Sequence, residues 1–230
     1  MRNLFLALAV IGILGAIPSA LAQEETSATA VSAALEEEAI SAADLGVAEP
    51  TVLPTSPFYF LKTFTRAVQN VFTFNPVKKA ELELRIADEK LIEAKKLAEA
   101  SPEHTAALER AIENYQTSAD RLESRIERLR DTSANPNVDR LLERIAERTV
   151  KHEKLFGELK AKFEGEAGIT ERLETAARRV EETAAAAAKK DDPEKFAEKL
   201  EKALVETKGS DLKHLRSIEI IDRIHEKASD

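Results

Sequence analysis

The chain has no cysteine and no tryptophan, and only seven glycines and one methionine in 230 residues. Without cysteine there can be no disulfide, thiolate metal site, cysteine nucleophile or thiol redox chemistry. With so little glycine there is no phosphate-cradling loop of the Walker or dinucleotide type, and no G-x-S-x-G elbow occurs. Stability has to come from packed secondary structure alone. Long apolar runs are also scarce. The longest is fourteen residues, 4–17, preceded by Arg2, broken by Pro18 and followed by Ala20, Leu21 and Ala22. A membrane-spanning helix needs ~20 apolar residues, whereas a short apolar run ending in small residues reads as a signal peptide over residues 1–22. The expected product is exported, with no stable membrane span after cleavage, and is periplasmic, cell-surface or extracellular.

The net charge of −8 is unevenly placed. Residues 23–50 carry seven acids and no base, while residues 51–230 hold 33 bases against 35 acids. An acidic stretch of Ser, Thr, Ala and Glu predicts a disordered linker over residues 23–53. No basic face marks a nucleic-acid partner.

Proline punctuates the rest. Ser56-Pro57, Asn75-Pro76, Ser101-Pro102, Asn135-Pro136 and Asp192-Pro193 each place a side-chain acceptor before a proline, the pattern of a helix N-cap and N1. Between these pairs apolar residues recur at steps of three and four. Over 76–99 they are Val77, Ala80, Leu84, Ala87, Leu91, Ala94 and Ala98; over 103–131, Leu108, Ile112, Tyr115, Ala119, Leu122, Ile126 and Leu129. Over 137–164 the stripe runs Val138, Leu142, Ile145, Thr149, His152, Phe156, Leu159 and Phe163. Short joints predict antiparallel neighbours. Charge pairs four apart, including Glu81 with Arg85, Glu147 with Lys151 and Glu174 with Arg178, read as solvated helix faces. The fold class is all-α: a short aromatic helix, then a long antiparallel helical hairpin or coiled-coil-like bundle over 54–164. Residues 165–230 add an alanine-rich helix that packs either closely or weakly, then two short helices, one stopped at Gly209, as a separate element or part of the same bundle.

Six of the eleven aromatics, Phe58, Tyr59, Phe60, Phe64, Phe72 and Phe74, fall within seventeen residues. Residues 57–73 read as a helix with Phe60, Phe64 and Val68 on one stripe, and Lys62, Arg66 and Gln69 pointing away. The expectation is a docking helix whose rings cap the open end of the hairpin. The competing reading is an exposed surface for a partner or a membrane, the membrane version weakened by having two bases on its polar face.

The run Ser56-Pro57-Phe58-Tyr59-Phe60-Leu61-Lys62, then Phe72-Thr73-Phe74-Asn75-Pro76 and Lys79-Ala80-Glu81-Leu82-Glu83-Leu84, resembles an uncharacterised prokaryotic extracytoplasmic domain family. That family has an SPFY segment, a short aromatic helix and a K-A-E-L-x-L helix entering a hairpin. The resemblance covers roughly residues 54–130 and implies fold and compartment, with no catalytic residues.

The four histidines, His104, His152, His214 and His225, form no HExxH or HxxxH pair. His152, on an apolar stripe, is expected to be a seam residue satisfied by partners rather than a ligand. No catalytic, cofactor-binding or metal residues are assigned and no cofactor is expected. The reading is a non-catalytic exported helical protein, a structural or protein-interaction module of the cell envelope acting through protein partners or self-association along helical seams. The alternative is an extracytoplasmic chaperone-like or metal-responsive helical binding protein.

Overall fold

Caps and heptads together set the helices. The computed structural model describes residues 39–207, 221–224 and 226–228. Among them the elements are α1 (Tyr59–Phe72), α2 (Pro76–Ala100), α3 (Thr105–Glu127), α4 (Pro136–Lys162), α5 (Ala167–Ala188) and α6 (Pro193–Glu206), with no strand. The expected signal peptide, residues 23–38 of the expected linker, and Gly209 lie outside the described residues. So does most of the expected last helix; its end, 221–224 and 226–228, is helical, and Ile224 is buried.

Three of the five proline caps form. Asn75 accepts from the Lys78 N–H, Asn135 from Asn137, and Asp192 from Glu194 and Lys195. The other two do not. Ser101 instead ends α2, its N–H donating to the Leu97 carbonyl, and a tight turn delays α3 to Thr105. Ser56 likewise makes a turn, its carbonyl accepting from the Tyr59 N–H. An acceptor before proline suits either a cap or a turn, and only the following residues decide.

Helices α2 to α5 form a four-helix arrangement in which α2 packs on α3 and α4, and α5 packs on α3 and α4. Ion pairs give the directions. Arg148 Nε meets Asp88 Oδ2 at 3.1 Å, and Arg144 pairs with Glu81, so α4 runs parallel to α2. Arg172 reaches Glu109 and Arg179 reaches Asp120, so α5 runs parallel to α3. Lys199 and Lys202 of α6 pair with Asp139 and Glu143 of α4. The short joint before α4 therefore does not make α3 and α4 neighbours. They lie diagonally, meeting through side chains at the centre, where Tyr115 packs edge-on against Phe156 at 5.0 Å between ring centroids.

The heptad positions are buried as expected, except Val77, which is partly buried. One cluster gathers Leu91, Leu108, Ile112, Tyr115 and Phe156; a second gathers Ile126, Leu141, Leu142, Ile145 and Phe196. Each buried Leu, Ile or Phe contributes about 1.5–3 kcal/mol. The alanine stripe of α5 packs closely: Ala176, Ala184 and Ala187 are fully buried, and small side chains let α3 and α4 approach.

Two expectations are corrected. First, residues 39–53 are not a free linker. Ile40, Ala42 and Leu45 enter the first core cluster, and Lys95 and Lys151 donate to the carbonyls of Ile40 and Asp44, each at 2.7 Å. Ser41 and Asp44 close the turn on each other, and Gly46 supplies the positive φ of +63° that ends it. Average composition hides three apolar anchors among acids. Second, the charged residues of α2 are not all on a solvated face, although Arg85 is exposed and Glu81 partly so. Glu83, Asp88, Lys90 and Glu93 are all buried. Of the charge pairs four apart, Glu147 with Lys151 forms at 2.5 Å, while Glu81 and Glu174 pair across helices with Arg144 and Lys160.

Candidate interaction surface

Helix α1 lies on the buried charged side of α2 and does so with its own polar face. Tyr59, Lys62, Arg66 and Asn70 recur at steps of three and four, hence on one side of the helix. The Tyr59 hydroxyl donates to Glu93 Oε2 at 2.5 Å, and Lys62 Nζ to Glu93 Oε1 at 2.6 Å. Arg66 pairs with Glu89 and also reaches Glu93 Oε1 at 3.5 Å, while Asn70 Nδ2 donates to Glu83 Oε1 at 2.5 Å. The contacts run in antiparallel register. Lys90 completes the set: it donates to the Tyr59 hydroxyl, sits 4.5 Å over the Tyr59 ring, and pairs with Glu93 Oε2 at 3.1 Å.

These groups are coupled by a low local dielectric. Burial pushes the Lys90 ammonium down to about 8, against the opposing pull of Glu93. Burial alone would raise the Glu93 carboxyl, but the Lys90 charge and hydrogen bonds from Lys62 and Tyr59 hold it below the usual carboxylate range. Burial, then the Glu93 carboxylate, drives the Tyr59 phenol far above its ordinary value. The interface is thus a polar layer in which Glu89 and Glu93 are paired with cations, with Glu93 wholly buried.

The opposite face of α1 points outward, so the expectation that its rings cap the hairpin is overturned. Phe58, Phe60, Phe64, Phe72 and Phe74 are between 64% and 81% exposed, and Val68 and Leu61 are exposed with them. Tyr59 alone of the six aromatics turns toward α2. The physical reason is the carboxylate stripe on α2: an apolar face laid over Glu83, Glu89 and Glu93 would strand charges at several kcal/mol each. The sequence signal was present in the spacing of Glu83, Lys90 and Glu93, a heptad stripe of charges complementary to Tyr59, Lys62, Arg66 and Asn70. At ~200 Å² per ring, the five phenylalanines expose roughly 700 Å². That exceeds the ~300–600 Å² of the largest apolar patch on a typical monomer.

A second polar cluster lies inside the bundle. His152 is buried, with Nε2 at 2.8 Å from Asp88 Oδ1 and Nδ1 at 2.9 Å from the Tyr115 hydroxyl. An Asp88 carboxylate can only accept, so Nε2–H donates to it, and in a neutral imidazole Nδ1 is then the acceptor for the Tyr115 hydroxyl. Burial and then the Asp88 charge raise the Tyr115 phenol well above its usual value, which keeps that hydroxyl protonated. Arg148 closes the far side of Asp88. This closed chain ties α2, α3 and α4 together. His104 sits exposed at the start of α3, and His214 and His225 lie outside the described residues.

Among the described residues, no helix is long and apolar enough to cross a membrane. Comparison with curated proteins and with solved structures returns no match. A family model does match, over residues 51–166, from just before α1 to the end of α4. The match takes in half of the chain and all of the α1–α2 interface, and the chain belongs to the family described as domain of unknown function DUF5667.

Proposed function

We propose that this protein is a non-catalytic, exported interaction module of the cell envelope, and that it works through protein contact on the outward face of α1. One observation carries the reading: an aromatic face is held outward by a buried ionic layer on the other side of the same helix. A helix with no task at its apolar face would gain more by turning it inward. Here the inward position is reserved for Tyr59, Lys62, Arg66 and Asn70, so outward display of the rings is built into both helices. The apolar run at residues 4–17 with its small-residue ending supports export.

The test pairs folding with association. A Phe60→Ser, Phe64→Ser variant should melt like the parent yet lose its co-sedimentation with the envelope fraction of the producing cell. Lower melting with unchanged association would mean the rings are structural. The chaperone-like alternative draws on the same exposed face. It would take over if purified protein suppressed aggregation of a thermally unfolding model client and the variant did not.

A further inference from the structure

We infer that the surface that covers the α1 face is a second copy of the same face, in a two-fold dimer with its two α1 helices antiparallel. The inference rests on the reading of that face as a protein-contact surface and names its partner. Three observations carry it.

The first is the pattern along the helix. About Arg66 the large outward apolar residues are placed the same way in both directions: Phe64 mirrors Val68, Leu61 mirrors Val71, Phe60 mirrors Phe72 and Phe58 mirrors Phe74. Lys62 mirrors Asn70, and both turn inward toward α2. An antiparallel pair of identical helices about a two-fold axis places residues so mirrored opposite each other. Within the helix, Phe60, Leu61, Phe64, Val68, Val71 and Phe72 would then each meet an apolar residue of the other copy. A face built for an unrelated partner has no reason to be mirror-patterned.

The second is charge. Self-pairing brings like groups together, so a charged face would repel its own copy. The charged residues of α1, Lys62 and Arg66, are turned to α2 and neutralised by Glu89 and Glu93, leaving the outward face uncharged. The third is area. Roughly 700 Å² from the five rings, with Leu61, Val68 and Val71 in addition, approaches the ~800 Å² per partner of a stable interface. The fourteen-residue helix is about 21 Å long, and the mirrored positions span all of it.

Sedimentation equilibrium on purified protein in detergent-free buffer tests this. The parent should sediment at twice the chain mass. Phe64→Asp alone and Val68→Lys alone should each weaken the dimer at least tenfold, with melting measured in dilute solution unchanged. The double variant should recover it, because each new carboxylate then faces a new ammonium of the other copy. A monomeric parent overturns the inference, as does a dimer indifferent to Phe64→Asp, or two single variants that the double does not rescue. A monomeric parent that floats with phosphatidylcholine vesicles would assign the face to lipid, against both this inference and the protein-contact reading. A monomeric parent whose envelope association is still lost on Phe60→Ser, Phe64→Ser would leave the protein-contact reading standing and remove the dimer alone.

Discussion

Glu93 of α2 is completely buried and takes the hydroxyl of Tyr59 on α1 at 2.5 Å, so the one aromatic of the cluster that faces inward does so by its polar end. Lys62 shares the same carboxylate, and Arg66 reaches it from farther off. Glu93 thus takes three of the α1 side chains, with Glu89 and Glu83 adding contacts to Arg66 and Asn70.

Glu93→Gln keeps the shape and removes the charge, leaving Lys62, Arg66 and Lys90 short of a counter-ion. Breaking a buried pair costs about 3–5 kcal/mol. Hydrogen exchange should show the Tyr59–Phe72 amides losing protection while those of Leu108 and Ile112 keep theirs. Acid should act on the parent in the same way. Because the Glu93 carboxyl is held low in the folded protein, its contribution persists above the unfolded value of ~4.3 and is lost as pH falls through the lower folded value. Protection of α1 that survived in the variant would remove Glu93 from this role.

Lys90 shifts stability in the same direction with pH but in a higher window, because burial disfavours its charged form. Its folded value of about 8 lies below that of an exposed lysine, so between them the unfolded chain binds the extra proton. Stability should therefore rise with pH from about 8 to about 10.4 as far as this group is concerned. Lys90→Met should abolish that rise and cost little at neutral pH, because Glu93 keeps Lys62 and Tyr59. Denaturant midpoints across the window give the slope; an unchanged slope in the variant would contradict the assignment.

Phe64→Ala is expected to leave the melting temperature of dilute protein nearly unchanged. A buried ring would cost ~3–5 kcal/mol, whereas exposed substitutions usually stay within about 0.5 kcal/mol. A large drop in calorimetry of dilute protein would return the ring to the core.

Tyr115→Phe should be the costly conservative change. It preserves volume but leaves Nδ1 of buried His152 without a donor, at about 1–3 kcal/mol. Urea unfolding reads it directly, and an unaffected midpoint would mean the hydroxyl does no structural service.

The bundle was legible wherever burial follows apolar periodicity. Leu108, Ile112, Leu122 and Ile126 announce the inner face of α3, and Asn75, Asn135 and Asp192 announce helix starts. What could not be read from one helix at a time was pairing. The diagonal placement of α3 and α4 depends on α5 filling the gap with alanines that carry little hydrophobic signal. The orientation of α1 depends on Glu83, Lys90 and Glu93, which resemble any solvated stripe until a complementary polar face covers them. The anchors Ile40 and Leu45 were masked by the acids around them. The spacing of Phe60, Phe64 and Val68 against Lys62 and Arg66 gives α1 two faces, but the choice of which one is bound is made by α2.

The orientation of α1 can be measured directly, since the chain has no native cysteine to interfere. Two double variants, Arg66→Cys with Glu89→Cys and Phe64→Cys with Glu89→Cys, should be treated in dilute solution with a short homobifunctional thiol crosslinker. With the polar face of α1 against α2, the first should close into an intramolecular link and the second should not. Efficient linking from position 64 and none from position 66 would mean that the aromatic face is buried, contradicting the outward display on which the proposed function depends.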